Sequence, residues 1–284
     1  MTHDPRTGRV KRPIKTDEYL WRMECQGDVL HLCAHPIDYA SRGSTKGRTV
    51  TGFSEESRRR LIRLISRIDW SRYRYGLFVS VTIPDSVWVM DRGARTRARH
   101  RLLRDIEKHL DAEMTAIWRI EWKPRLTGSW VNHLLPHWHM IMPGVRYLHM
   151  DVLRDLWRRI LGIGDMDPLC TDVQALQDDK HAQVYICKYA AKMSTHHSLD
   201  SVVHLNTGGR HWGIHRRNLL AVHPIVSYND LSPGTVARLR RVASQTLANY
   251  DARYDAGFTL HGEAAKRNHE EVRQILLDSG KPAE

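Results

Sequence analysis

Two histidines of this 284-residue chain are spaced so that they could bind one metal ion. His137 and His139 flank Trp138 in the segment PHWHMIM, 136–142, which has the composition of a β-strand. Because strand side chains alternate between two faces, both imidazoles lie on one face and the indole on the other. Imidazole is the commonest metal-binding side chain, and a fixed pair needs only one further ligand to hold a divalent ion. A solvated sheet face with two unrelated histidines is the alternative interpretation.

Glu121 is the third ligand that we expect. In the predicted strand IWRIEW, 117–122, Arg119 and Glu121 share one face. This strand and the histidine strand are too closely linked for a crossover, which predicts an antiparallel pair with Glu121 beside the histidines. A surface carboxylate paired with Arg119 or Lys123 is the alternative for Glu121, and His133, in the connecting turn, is a substitute ligand.

The segment YICKYAAK, 185–192, carries reactive side chains at helical spacing. Tyr185 and Tyr189 are one turn apart, and Lys188 and Lys192 share their stripe. A phenol with a pKa of about 10 is a poor nucleophile at neutral pH, so attack on phosphorus needs a positive charge nearby, which a lysine can supply. A helix face with snorkelling lysines is the structural alternative.

The elements that must position these residues are read from hydrophobic periodicity. A strand-like segment runs from Trp21 to about Tyr39, and further elements follow: helices near 54–68, 95–112, 151–161 and 181–193, strands at 77–83, 117–122, 137–142 and 171–176, and tail helices at 231–247 and 261–279. This order predicts an α+β domain with an antiparallel sheet. We expect a flexible basic arm at 1–20, a catalytic domain with an N-terminal extension at 21–226, and a helical extension at 227–284.

The composition of the chain indicates which kinds of binding partner to expect. A net charge of +12 and a pI near 9.8 favour a polyanion such as nucleic acid. No apolar run is long enough to cross a bilayer, and the first residues do not read as a secretory signal, so we expect a cytoplasmic protein without a membrane partner. No Walker A sequence occurs, so any helicase is expected to be a separate protein. The four cysteines are interpreted as reduced thiols.

A zinc site is a weaker candidate in the N-terminal segment. Cys25, His31, Cys33 and His35 include three residues that alternate on one strand face, but Cys25 is not part of a CxxC knuckle. We interpret these four residues as unrelated core and surface residues. The arginines at 58–60 and those between 92 and 104 could contact phosphates or form a solvated surface.

Three segments occur in the order of the motifs of the HUH endonuclease superfamily, which the chain resembles over roughly residues 52–222. They are LFVSVTIP at 77–84, PHWHMIM at 136–142 and YICKYAAK at 185–192. The doubled YxxK and the preceding Glu121 resemble most closely the two-tyrosine, phage-like branch of rolling-circle replication initiators. GRHWGIHRRN, 209–218, is also similar to a segment that follows the tyrosine helix in that branch.

The resemblance implies a fold and a metal site. The expected HUH endonuclease fold is a central antiparallel β-sheet flanked by helices, with the tyrosine helix packed beside the metal-binding strands. A Mg²⁺ or Mn²⁺ ion would be held by His137, His139 and Glu121.

The resemblance also implies an activity. Tyr189 or Tyr185, assisted by Lys192 and Lys188, would nick single-stranded DNA at a replication origin and form a 5′-phosphotyrosine. Such nicking and joining would initiate rolling-circle replication of a phage or plasmid in the bacterial host cytoplasm, with a separate helicase and host replication proteins. An HUH-type transposase and a non-catalytic nucleic-acid-binding regulator are the alternatives.

Overall fold

The computed structural model describes residues 15, 19–36, 53–84, 92–124, 134–164, 171–176, 210–248, 250 and 257–280. These residues form an α+β protein with two antiparallel sheets and five α-helices, divided into two compact units. The expected α+β class is therefore confirmed.

The unit that carries the histidine pair is built on a five-stranded sheet. Its strands, in spatial order, are β6 (Thr171–Ala175), β3 (Gly76–Thr82), β5 (Leu134–Pro143), β4 (Ala116–Pro124) and β7 (Trp212–His215). Every neighbouring pair is antiparallel. The same unit contains α1 (Glu55–Ser66, up to Ile65), α2 (Arg92–Leu110) and α3 (Met150–Leu161).

The helices α2 and α3 share a core with one face of this sheet. The core contains Leu102, Leu103 and Ile106 of α2, Leu153, Leu156 and Trp157 of α3, Leu77, Val79 and Val81 of β3, Trp118 of β4, and Trp138, Met140 and Met142 of β5. Since strand side chains alternate, this packing leaves the histidines of β5 on the opposite face. Trp138 is thus a core residue.

The other unit combines both ends of the described chain. A hairpin of β1 (Tyr19–Gln26) and β2 (Val29–Pro36) is flanked by β8 (Val226–Tyr228) and β9 (Phe258–His261), and α4 (Pro233–Thr246) and α5 (Glu263–Asp278) complete it. The members of its core are Trp21 and Met23 of β1, Leu30 and Leu32 of β2, Val236, Leu239 and Val242 of α4, Phe258 and Leu260 of β9, and Val272, Ile275 and Leu276 of α5. The tail helices therefore complete a folded unit.

The structure differs from the sequence-based organisation at the N-terminus. The strand-like segment from Trp21 to Tyr39 contains a two-stranded hairpin, whose turn Gly27 takes a positive φ of 53° that glycine adopts easily. These strands belong with the C-terminal helices, whereas a domain covering 21–226 and a separate extension covering 227–284 were expected. The other predicted helices and strands within the described residues are confirmed to within a few residues.

No helix in the described part of the chain has both the length and the apolar composition that a membrane span requires. The predicted helix at 181–193 lies outside the described residues.

One indole connects α3 to β3, the strand that lies next to the histidine pair. Trp157 of α3 donates a hydrogen bond from Nε1 to the carbonyl oxygen of Thr82 at 2.8 Å, and its ring packs edge-on against Trp138 at 5.8 Å between centroids. The Nε1 of Trp138 is also buried but has no hydrogen-bond partner among the described residues. The two tryptophans therefore form a matched pair that differs in one hydrogen bond.

We expect Trp157→Phe to lower the free energy of unfolding by about 1–3 kcal/mol more than Trp138→Phe, because only the first leaves a buried carbonyl without its donor. Urea unfolding followed by far-UV circular dichroism measures both variants. Equal losses of stability would show that the indole hydrogen bond contributes nothing beyond ring volume.

Candidate metal centre on the five-stranded sheet

Strand register brings the three predicted ligands to one face of the sheet. His137 lies opposite Glu121 of β4 on one side and opposite Thr82 of β3 on the other. His139 lies opposite Ser80 of β3. Directly opposed residues of an antiparallel pair have Cβ atoms about 4.5–5.5 Å apart, so these side chains can interact.

Hydroxyl groups of β3 fix both imidazole rings. His137 Nδ1 lies 2.7 Å from Thr82 Oγ1, and His139 Nδ1 lies 2.8 Å from Ser80 Oγ. If each Nδ1–H donates to its hydroxyl oxygen, each Nε2 carries the lone pair that a metal needs, and such outer hydrogen bonds are the usual means of orienting histidine ligands. Phe78 stacks on the His139 ring, with centroids 5.6 Å apart and planes 16° apart, which restricts the ring further.

Glu121 and His139 are already in contact. Glu121 Oε2 lies 2.9 Å from His139 Nε2. Two donor atoms that each lie about 2.1 Å from an ion, at a right angle to each other, are about 3 Å apart, so this spacing suits shared coordination. Without an ion, the Ser80 hydroxyl can instead donate to Nδ1 while Nε2–H donates to Glu121, because a hydroxyl serves either tautomer.

His137 is not as close to the other two predicted ligands as they are to each other. The ligand atoms of His137, His139 and Glu121 do not all lie within 4.8 Å of one another. Three-point coordination therefore requires these side chains to move closer together than they are in this structure. The donor set of two imidazoles and one carboxylate fits a divalent transition ion better than Mg²⁺, which prefers oxygen ligands.

Three further residues of this region were not predicted as members of the site. Asp172 of β6 lies opposite Ser80 and Arg119 of β4 lies opposite His139, so both share the histidine face. His211, just before β7, accepts a backbone hydrogen bond on its carbonyl from Ile120 at 2.8 Å, which places it next to β4. Alternation identifies the face of each strand, but only the register between strands shows that these faces coincide.

Burial lowers the pKa values of two side chains beside the candidate metal centre. Arg119 is only 6% exposed, and burial lowers its pKa to about 10, with Glu121 opposing the shift and the charge of Arg58 adding to it. Burial, and then the charge of Arg119, lower the pKa of His211 to about 4. Arg119 therefore keeps its charge at neutral pH, while His211 is neutral.

Tyr185, Lys188, Tyr189 and Lys192 lie outside the described residues, as does the substitute ligand His133.

The N-terminal zinc candidate takes a different form from the one considered. Cys25 packs with the core of its unit, and burial raises the pKa of its thiol to about 11, which disfavours the thiolate. The ligand atoms of His31 and Cys33 instead lie within 4.8 Å of a carboxylate oxygen of Glu24. That carboxylate already forms ion pairs with Arg22 at 2.5 Å and Arg67 at 3.2 Å. Two cations at this position favour an ion-pair network over a metal site.

Comparison with protein-family models, curated proteins and solved structures finds no match to this chain.

The hydroxyl contacts generate a prediction about metal binding. Thr82→Val keeps the shape of the side chain but removes the partner of His137 Nδ1, so we expect about 10–100-fold weaker Mn²⁺ binding, the usual effect of losing an outer hydrogen bond. Thr82→Ser keeps the hydroxyl and should bind as the wild type does. Titration of metal-stripped protein with Mn²⁺, followed by electron paramagnetic resonance of the free ion, measures the affinity. Unchanged affinity in Thr82→Val would mean that the hydroxyl does not orient a ligand.

The buried His211 generates a prediction about pH. Its pKa is lowered from 6.5 to about 4 in the folded chain, so its contribution to stability is complete above pH 6.5 and is lost as the pH falls from 6.5 towards 4. Between about pH 7.5 and about pH 5, wild type should lose up to about 2 kcal/mol more stability than His211→Gln. Urea unfolding at both pH values tests this, with the exposed His109→Gln as the control. Parallel losses in wild type and His211→Gln would contradict it.

Proposed function

We propose that this protein is a metal-dependent DNA-nicking and -joining enzyme that cuts single-stranded DNA through a tyrosine nucleophile. The observation that carries the proposal is the contact between His139 and Glu121 on the strand face that also holds His137, with a hydroxyl at the second nitrogen of each imidazole. An accidental His-x-His on a solvated face has no reason to carry this arrangement. The HUH fold belongs to the same proposal, supported by an antiparallel sheet with the histidines on a central strand.

In the proposed reaction, a metal ion would activate the phosphate and side chains of the protein would hold the ion and supply the nucleophile. A divalent ion held by His137, His139 and Glu121 would polarise the scissile phosphate and stabilise the charge that develops during displacement. The three side chains would hold the ion, and Ser80 and Thr82 orient the imidazoles.

The tyrosine carries out the covalent step. The phenol oxygen of Tyr189 or Tyr185 attacks phosphorus, the P–O3′ bond breaks, and the phenol proton leaves to solvent or a base. The products are a 5′-phosphotyrosine and a 3′-hydroxyl, which takes up a proton. Lys188 and Lys192 would favour the phenolate and steady the phosphate by their charge. Because the phosphoester energy is retained, a 3′-hydroxyl can later attack the phosphotyrosine and rejoin the strand.

The proposed role is the initiation of rolling-circle replication of a phage or plasmid. The two tyrosines support this role, since two nucleophiles can alternate between opening and closing a circle. The net charge of +12 supports a nucleic-acid substrate. The origin strand is the proposed substrate, with a separate helicase and host replication proteins as partners.

The test is cleavage of labelled single-stranded oligonucleotides that tile the DNA of the genetic element encoding the protein. With Mn²⁺ we expect a covalent protein–DNA adduct at one sequence, and with EDTA none. His137→Ala and the double variant Tyr185→Phe/Tyr189→Phe should abolish the adduct, and the single tyrosine variants should identify the leading nucleophile. Denaturing electrophoresis shows both the cut and the adduct.

Two matched controls separate catalysis from damage to the fold. His109→Ala removes an exposed histidine at the end of α2, and Tyr147→Phe changes an exposed tyrosine before α3, so both should cleave as the wild type does. Binding without cleavage under every divalent ion would replace the proposal with a non-catalytic DNA-binding protein. Cleavage only of hairpin ends would favour a transposase.

A further inference from the structure

A group of positively charged and polar side chains lies beside the histidine pair and is not used by the metal centre. It consists of Arg58 from α1, Arg119 from β4 and His211, which together we call the arginine cluster. The guanidinium carbon of Arg119 lies 4.5 Å from the centroid of the Phe53 ring, and the His211 ring lies 6.3 Å from that same ring. Trp212 Nε1 donates to Ser57 Oγ at 2.9 Å, which fixes the start of α1 against β7.

The cluster holds like charges close together. The charge of Arg58 is near enough to Arg119 to lower its pKa, a smaller effect than that of burial. Positive charges repel more strongly in a partly desolvated environment than in water. The carboxylate of Glu121 opposes the effect of Arg58, and an anion bound here would oppose it further.

His211 supplies an independent indication of a ligand. Its side chain is only 7% exposed, and its Nε2 has no hydrogen-bond partner among the described residues. Buried polar atoms in native proteins are nearly always hydrogen-bonded, so one without a partner calls for an explanation. A neutral imidazole with its proton on Nε2 can donate to a phosphate oxygen, as arginine can.

The arginine cluster lies next to the candidate metal ligands. Arg119 lies directly opposite His139 across the β4–β5 pair and two residues from Glu121 on the same face. The half-buried Arg58 is the cation that a ligand can reach from solvent, while Arg119 adds its charge from a buried position. An anion bound here is therefore a neighbour of any phosphate held by the metal ligands.

We infer that the arginine cluster is a phosphate-binding subsite that holds the backbone of single-stranded DNA next to the phosphate to be cut. This inference rests on the proposed function, because that function supplies the substrate. The subsite would fix the register of the strand on the enzyme without reading its bases, which is the general role of phosphate contacts.

Binding of a fluorescein-labelled oligothymidylate in EDTA tests the subsite without metal or cleavage. For Arg58→Gln we expect weaker binding and a plot of log Kd against log salt concentration whose slope falls by about 0.7, the value for one single-strand phosphate contact. Arg58→Lys keeps the charge and should restore the slope.

Arg154→Gln is the matched control, since Arg154 lies on α3, which packs on the opposite face of the sheet, and pairs with Asp151 at 3.0 Å. A wild-type slope in Arg58→Gln, while wild-type protein still nicks origin DNA, overturns the subsite and leaves the proposed function standing. A reduced slope in Arg58→Gln, while wild-type protein forms no adduct with Mn²⁺, overturns the nicking activity and leaves the subsite standing.

Discussion

The pairing register of β4 and β5 is the constraint on which the candidate site depends. Glu121 faces His137, and Arg119 faces His139, only in this register. A slip of one residue would move every side chain of one strand to the other face and would place Trp118 and Trp122 opposite the histidines. The cost of exposing these buried indoles, and of burying Arg119 and Glu121 among α2 and α3, holds the register in place. The apolar core thus positions polar groups that do not belong to it.

Much of this architecture follows from the sequence. Apolar periodicity located α2, α3 and the strands from β3 to β6, and alternation assigned Trp138 to the core and both histidines to the opposite face. The hairpin of β1 and β2 was missed because its turn, Gly27 and Asp28, is short and interrupts a continuous run of strand-forming residues. The assembly of that hairpin with α4 and α5 depends on contacts between chain ends more than two hundred residues apart, which no local pattern reports.

The site itself was predictable only in part. The spacing of His137 and His139 defines a pair, but the roles of Ser80 and Thr82 depend on the neighbour that β3 selects, which is β5 in space and not in sequence. Likewise, Asp172 and His211 reach this region through pairing partners that are distant in the chain. Composition showed an excess of positive charge, but it could not separate a solvated arginine from Arg119, which is buried.

Polar groups beside the candidate centre are arranged for a bound state more than for the stability of the free chain. Arg119 is desolvated, His211 is held neutral by burial and by that arginine, and Arg119 lies on the face of the sheet that is turned away from the apolar core. A chain selected for stability alone would replace such groups with apolar ones of similar volume, often at no loss of stability. Their presence on the one face that also carries His137, His139 and Glu121 is most simply explained if a ligand of opposite charge contributes part of their stabilisation. A metal ion alone would not do so, because it would share the carboxylate of Glu121 with Arg119 and add positive charge of its own. The proposed phosphodiester substrate would do so, since it could neutralise the arginines and also bind the proposed ion.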